Sequence, residues 1–352
     1  MNGVQPQAPG RPPLVSILIA NFNGARLLPD CLKSLEAVAY KNREVVVIDN
    51  GSTDDSLKLL AKYPWVKVVR SDINLGFAGG NNLGLRACSG DLILLLNNDT
   101  IVSPDFLGPL CTYLEQNPRV GVVQGKMVLP SFDDCLDVCG SFFTSFGLPY
   151  HYGYYKPDGP KYQRCYPVFS AKGACLMLRR EVFSDAGGFL FDDDFFCFYE
   201  ESDFCHRAWL AGWEVHFVDS PPIQHLQGGT SRSQDAAFPL RYYLRNMVFS
   251  LMANLSFWSR LRIMPPFFAM LTAGMLASAL ARDGAQFRAR YQAIASCFKN
   301  YGKIRARRRL VSGFRKQSDR DIFRKVLRTP RFEYFVKTFT GKLRDYIDDV
   351  LP

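Results

Sequence analysis

The sequence predicts a doubly wound, mostly parallel α/β sheet followed by a helical, basic C-terminal region. Short apolar runs alternate with amphipathic stretches four times within about 90 residues, the pattern of successive βα units. Each run stops at Asn, Asp or Gly, which gathers polar residues at one edge of the sheet. The basic excess is confined to the last third of the chain, which sets that part apart from the sheet.

Residues 14–20, Leu-Val-Ser-Ile-Leu-Ile-Ala, read as a first strand buried on both faces. Asn21-Phe-Asn-Gly24 breaks it, and residues 26–37 then carry Leu28, Cys31, Leu32 and Leu35 at helical spacing. Residues 44–49 form a second strand, stopped by Asn50-Gly51. Ser52 or Thr53 is placed to cap the helix that follows. Residues 66–69 make a third strand, 81–88 a helix and 91–96 a fourth strand ending at Asn97-Asn98-Asp99. Further on, residues 204–212 have helix character with Gly212 as C-cap, and 215–219 a short strand.

Composition narrows the class. Of 352 residues, 47% are hydrophobic and 22% charged, near the globular average, so wholesale disorder is excluded. The net charge of +10 divides unevenly: residues 241–352 hold 23 Lys and Arg against 7 Asp and Glu, leaving residues 1–240 mildly acidic. A basic tail on an acidic body suits an anionic membrane or nucleic acid, but no nucleic-acid motif is present. Residues 1–13 are rich in Pro and Gln and expected to be disordered, with no apolar signal-peptide core. The ten cysteines lack metal-site spacing and fall largely in apolar runs, which fits reduced thiols in a cytoplasmic protein.

The sheet edge collects Asn21, Asn23, Asp49 to Ser52 and Asn97 to Asp99, where open α/β sheets bind ligands. No GxGxxG follows the first strand. The glycine-rich run 74–82 is either a flexible loop or a cradle of backbone N–H groups at the start of a helix. Asp99 ends an apolar strand, so its carboxylate projects over the edge and suits a divalent metal with bound phosphates. His225 is the best second ligand among four histidines, although a lone histidine can equally be structural. Glu200, Glu201 and Asp203 head a helix whose dipole tolerates them. The aromatic wall beside them, Phe195 to Tyr199, can instead raise one acid into the range of a general base.

Residues 15–23, 46–54, 74–84 and 95–100, with Gly173-Ala174, Gly187-Gly-Phe189, the Glu200-Glu201 pair and His225-x-x-Gly-Gly-Thr-Ser231, resemble family-2 glycosyltransferases in motif order. The likeness spans about residues 14–232 and is strongest to a bacterial rhamnosyltransferase-like branch. The resemblance implies a GT-A fold with a nucleotide-binding half (14–100) and an acceptor half (101–237), then a separate C-terminal region (238–352). It implies inverting transfer of a sugar from a UDP- or dTDP-sugar to a glycan or lipid-linked acceptor.

By the same resemblance, Asp49 meets the nucleotide base, and Ala20, Asn21, Asn23, Gly51, Ser52, Asn74, Gly79, Asn81 and Asn98 line the donor pocket. Asp99 and His225 hold Mg²⁺ or Mn²⁺, and Glu201 is the base, with Glu200 and Asp203 beside it. Two departures bear on this: Asn97 replaces the first acid of the family's DXD motif, and Glu201 stands where Asp is commoner. The rivals are a sugar-phosphate nucleotidyltransferase and an inactive nucleotide-binding membrane scaffold.

Two segments remain open. Residues 131–167, rich in Phe, Tyr, Gly and Pro, form either an acceptor-facing insertion or a loop packed on the body. Residues 263–281 contain no charge and are long enough to approach a membrane span. They read as an interfacial element, a packed hairpin or a true span. With the basic residues that follow, they place the protein peripherally at the inner face of the cell membrane, against anionic headgroups.

Overall fold

The structure, a computed structural model, describes residues 11–227, 237–340 and 343–348. The first half begins as the sequence predicts: β1 (Val15–Asn21), α1 (Leu28–Glu36), β2 (Arg43–Asn50), α2 (Ser56–Leu60), β3 (Val66–Ser71), α3 (Gly76–Leu85) and β4 (Leu92–Leu96). Then follow β5 (Thr100–Ile101), α4 (Leu107–Gln116), β6 (Val120–Gln124), β7 (Met127–Leu129), β8 (Cys135–Leu136), β9 (Ser141–Phe143), β10 (Pro149–His151) and β11 (Tyr166–Pro167). The sheet region closes with β12 (Cys175–Arg179), α5 (Arg180–Asp185), α6 (Glu200–Leu210), β13 (Glu214–Phe217) and β14 (Ile223–His225).

Eight strands form the main sheet in the order β11-β13-β6-β12-β4-β1-β2-β3. Strands β3, β2, β1 and β4 run parallel; β12 enters antiparallel between β4 and β6. Hydrophobic cores lie on both faces, as the unbroken apolar runs require. A second sheet, β5-β14-β7-β8, sits at the edge where β4 ends.

The glycine-rich run is mostly helix rather than loop. Gly76 to Gly84 belong to α3, and a Cβ at Gly84 would lie 2.3 Å from Ile48 and 2.5 Å from Leu18. Glycine is there for close packing on β1 and β2, and that packing overrides its poor helix propensity. The 131–167 segment resolves toward the packed alternative: Phe142, Tyr150, Tyr152 and Tyr162 are fully buried in the main core.

The C-terminal region is helical: α7 (Phe238–Asn254), α8 (Phe257–Leu280), α9 (Gly284–Lys299), α10 (Tyr301–Phe314), α11 (Asp319–Val326) and α12 (Phe332–Thr340). It is not set apart from the body. Met247, Leu251, Ile304 and Val311 share one continuous core with Phe204 and Trp209. Part of the basic excess is also paired with body acids, through Arg307 with Asp192 and Asp203, Lys303 with Asp194, and Lys325 with Glu214. The charge-free run lies within α8, the one described helix long and apolar enough to cross a membrane, of mean hydropathy 1.6.

Candidate active site

The parallel register sets Asn21 beside Asp49 and Asp49 beside Arg70, so the polar ends of three strands lie in a row. Side-chain amides lace that row together. Asn98 Nδ2 donates to Asn21 Oδ1 at 2.7 Å, joining the ends of β1 and β4. Asn23, at φ +50°, accepts from the backbone N–H of Thr53 at 2.8 Å, while its own N–H donates to Ser52 Oγ at 3.0 Å. Ser52 and Thr53 therefore tie two loops and do not cap α2, whose N-cap is Asp55. Asn50 Oδ1 accepts from Leu75 N–H and Asn74 Oδ1 from Gly76 N–H, which fixes the start of α3. Gly51, at φ +77°, runs so close to Ile73 that a Cβ would lie 2.5 Å from its carbonyl carbon.

Within this row Asp49 is buried, and its Oδ1 meets no hydrogen-bond donor among the described residues. Ala20, Gly51, Ser52, Asn74 and Asn98 lie at the same strand ends or in the loops that follow them. Gly79 and Asn81 are helical instead. Both lie inside α3, and the buried Asn81 donates to Phe77 O at 2.8 Å, four residues back on its own helix.

The second sheet assembles the other polar centre. Strand β14 pairs with β5, so that His225 lies opposite Thr100 and Leu226 N–H donates to Asp99 O. His225 Nε2 thereby faces Asp99 Oδ1 across 3.4 Å, and that oxygen has no hydrogen-bond partner among the described residues. On its other side His225 Nδ1 hydrogen-bonds Asp137 Oδ2 at 2.7 Å. Lys172 Nζ donates to both oxygens of Asp137, at 2.6 and 2.8 Å. Burial works against the Asp137 carboxylate, but Lys172 and His225 hold it well below the usual range. Burial likewise opposes the His225 imidazolium; its two acidic neighbours outweigh that and raise its pKa.

Sequence reasoning missed Asp137 and Lys172. The available signal was a lone acid in an apolar run, Cys135-Leu-Asp-Val-Cys139, since a fully buried carboxylate needs partners. Among the described residues no three His, Cys, Asp or Glu side chains are gathered as a ready metal cage.

Glu200, Glu201 and Asp203 occupy the first turn of α6. Phe196, Phe198 and Tyr199 precede them with φ of +62°, +66° and +73°, a strained run for residues other than glycine. Asn246 on α7 holds it in place, its Nδ2 donating to the carbonyls of Phe195, Cys197 and Phe198 at 2.7–3.0 Å. Gly173 lies beside the turn, where an added Cβ would be in ordinary contact with Glu201 Cβ at 3.8 Å.

The acids differ in their surroundings. One oxygen of Glu200 and one of Glu201 have no partner among the described residues. Burial and the charge of Glu201 push Glu200 well above the usual carboxyl range. Burial also raises Glu201, while Lys172 draws it back. The pair thus holds a proton on Glu200 more readily than on Glu201.

Asp203 does not fit the catalytic assignment. It is buried against Arg207 Nε at 2.9 Å, Arg307 at 3.5 Å and Asn254 Nδ2 at 2.9 Å, with both oxygens met. Burial opposes its charge, yet the two guanidiniums lower its pKa.

The family model described as Glycosyl transferase family 2 matches residues 16–187. A hexosyltransferase of low-salt glycan biosynthesis, Agl10 of Haloferax volcanii, is 26% identical over 251 residues, 67% of this chain and 76% of that protein. Among solved structures, GalNAc-T7 with UDP, GalNAc and Mn²⁺ superposes at TM-score 0.65 and 16% identity, over 93% of this chain and 57% of that one. The mannosyltransferase PcManGT of Pyrobaculum calidifontis, with GDP-Man and Mn²⁺, superposes at 0.50 and 16% identity, over 83% and 88%. The fold is therefore GT-A, with a mixed, mostly parallel sheet and a helical C-terminal region. Residues 16–187 match the family-2 glycosyltransferase model over just under half of the chain, and with its named relatives this makes the chain a glycosyltransferase.

Proposed function

We propose that this enzyme moves a sugar from a nucleotide-sugar donor to a hydroxyl of a glycan or lipid-linked acceptor, with inversion at the anomeric carbon. The observation that carries the reading is Glu201: a carboxylate on the first turn of α6, beside Gly173 and Lys172, with one oxygen unmet. Asp49 offers its unmet Oδ1 to the N3–H of uracil or thymine, which favours a UDP- or dTDP-sugar. Rhamnose is the sugar that the sequence's branch resemblance favours.

Asp99 and His225 are the residues that would hold Mg²⁺ or Mn²⁺. They fit the role: Asp99 Oδ1 is unmet, and a hydrogen bond from His225 Nδ1–H to Asp137 leaves Nε2 with its lone pair. Such a cation, when bound, offsets the charge of the departing diphosphate.

Glu201 takes the proton of the acceptor hydroxyl as that oxygen attacks the anomeric carbon. The new C–O bond forms on one face while the bond to the diphosphate breaks on the other, and the nucleoside diphosphate leaves with the electron pair. Glu200, holding a proton, keeps a second negative charge away from the base. The basic C-terminal region supports a peripheral position for the enzyme at the inner face of the cell membrane.

Thermal-shift measurements with UDP-, dTDP- and GDP-sugars, with and without Mg²⁺ or Mn²⁺, test the donor site. Stabilisation is expected with one nucleotide class and should grow with the cation; stabilisation by none of them overturns the site. An NMR assignment of the anomeric configuration in the product decides between inversion and retention.

A further inference from the structure

Helix α8 is 24 residues long, and only one of its faces is packed. Ile263, Phe267 and Leu271 are buried in the main core and seat the helix on the body. The opposite face carries Trp258, Leu261, Pro265, Ala269, Leu276 and Leu280, all exposed, at steps of three, four and seven residues that keep them on a single stripe. Trp258 is 77% and Leu280 87% exposed. No charge interrupts this stripe from Ile263 to Ala281. An uncharged apolar surface of that length is a docking face rather than an ordinary solvated one.

At its N-terminal end the stripe meets a cleft of about 470 Å³ between α8 and α11. Arg262, Arg320 and Arg324 line the cleft over an apolar floor that includes Ile263, Phe323 and Leu327. Arg324 shares Asp321 at 3.6 Å, whereas no ion-pair partner of Arg262 or Arg320 occurs among the described residues. The nearby Asp319 is already committed to Arg315 and to the backbone N–H of Ser256. The cleft therefore keeps a positive excess beside the apolar stripe, and Arg262 belongs to both.

We propose that this composite surface docks the enzyme on an anionic phospholipid membrane. The stripe of α8 would lie in the interface, and the Arg262–Arg320–Arg324 cleft would take a headgroup phosphate. The proposal rests on the peripheral-membrane reading above and names the face responsible. Charge selects the occupant: a second copy would bring an equally basic surface against this one, whereas an anionic bilayer supplies both the apolar depth and the opposite charge.

Vesicle flotation of the full chain tests it, with phosphatidylcholine alone and with phosphatidylglycerol added, at low and high salt. The chain should float with the phosphatidylglycerol vesicles at low salt only. The R262A/R320A/R324A variant should partition on the order of a hundredfold more weakly, from about fivefold per basic residue. The L276S/L280S variant should also lose flotation, and both should keep the wild-type melting temperature because the altered side chains are exposed or line an open cleft. Trp258 emission should shift to the blue on binding, a shift lost in Trp258→Phe.

Failure of the wild-type chain to float would overturn the membrane reading and this surface together. Flotation of wild type and both variants alike would overturn this surface alone. A wild-type dimer in sedimentation that becomes monomeric in L276S/L280S would assign the stripe to a second copy and overturn the proposal.

Discussion

Two groups of buried acids meet at the first turn of helix α6 and the sheet edge beside it, and the chain treats them in opposite ways. At the sheet edge Glu200, Glu201, Asp99 and Asp49 each carry an oxygen without a partner among the described residues. At the joint with the C-terminal helices, Asp203 is met by Arg207, Arg307 and Asn254, and Arg307 also reaches Asp192. A buried polar atom left unmet costs on the order of 1–3 kcal/mol, so its persistence marks a place shaped for something other than stability. Two positions of sequence separate an acid suited to chemistry from one that fastens two halves of the molecule.

The difference can be attacked from either side. Glu201→Gln should lower kcat by about 10²–10⁴-fold while leaving unfolding unchanged, because no partner is lost; initial rates and thermal melts check both halves. Asp203→Ala should do the reverse, costing about 3–5 kcal/mol in urea unfolding by leaving Arg207 buried without its carboxylate. Asp137→Asn should weaken Mn²⁺ binding by roughly 10–100-fold, read by calorimetry, because His225 loses the acceptor that fixes its tautomer.

The smallest effect concerns pH. Glu200 has its folded pKa raised, so the stability it contributes is complete below the unfolded carboxyl value and fades as pH rises through the folded one. Asp203 has its folded pKa lowered, so its contribution is present at neutral pH and fades on acidification below about pH 4. Glu200→Gln should therefore melt relatively higher than wild type at pH 8 than at pH 5. An unchanged difference between the two pH values would refute the assignment of the proton to Glu200.

The first half of the sheet was legible because its information is local. A buried strand announces itself as an apolar run, and Asn21, Asp49 and Asn98 fall at strand ends that parallel pairing then aligns. Asp203 was misread because Arg307, which helps neutralise it, lies 104 residues further along the chain. The helical place of the glycine-rich run was hidden for a related reason: glycines look like a loop until the closeness of Ile48 and Leu18 to the helix they build is known. Asp137 sits in an aperiodic stretch whose order comes from aromatic packing, a term that no sequence period reports.

The grip of Asn246 on the carbonyls of Phe195, Cys197 and Phe198 has a practical bearing on how such enzymes can be recombined. A chimera that joins residues 14–237 to a foreign C-terminal region would inherit Glu201 without the side chain that sets its backbone. Cutting the chain after residue 240 would remove Asn246, Asn254 and Arg307 in one stroke. The smallest exchangeable unit therefore runs through α10, and a domain border drawn where the charge changes sign would pass through the catalytic apparatus.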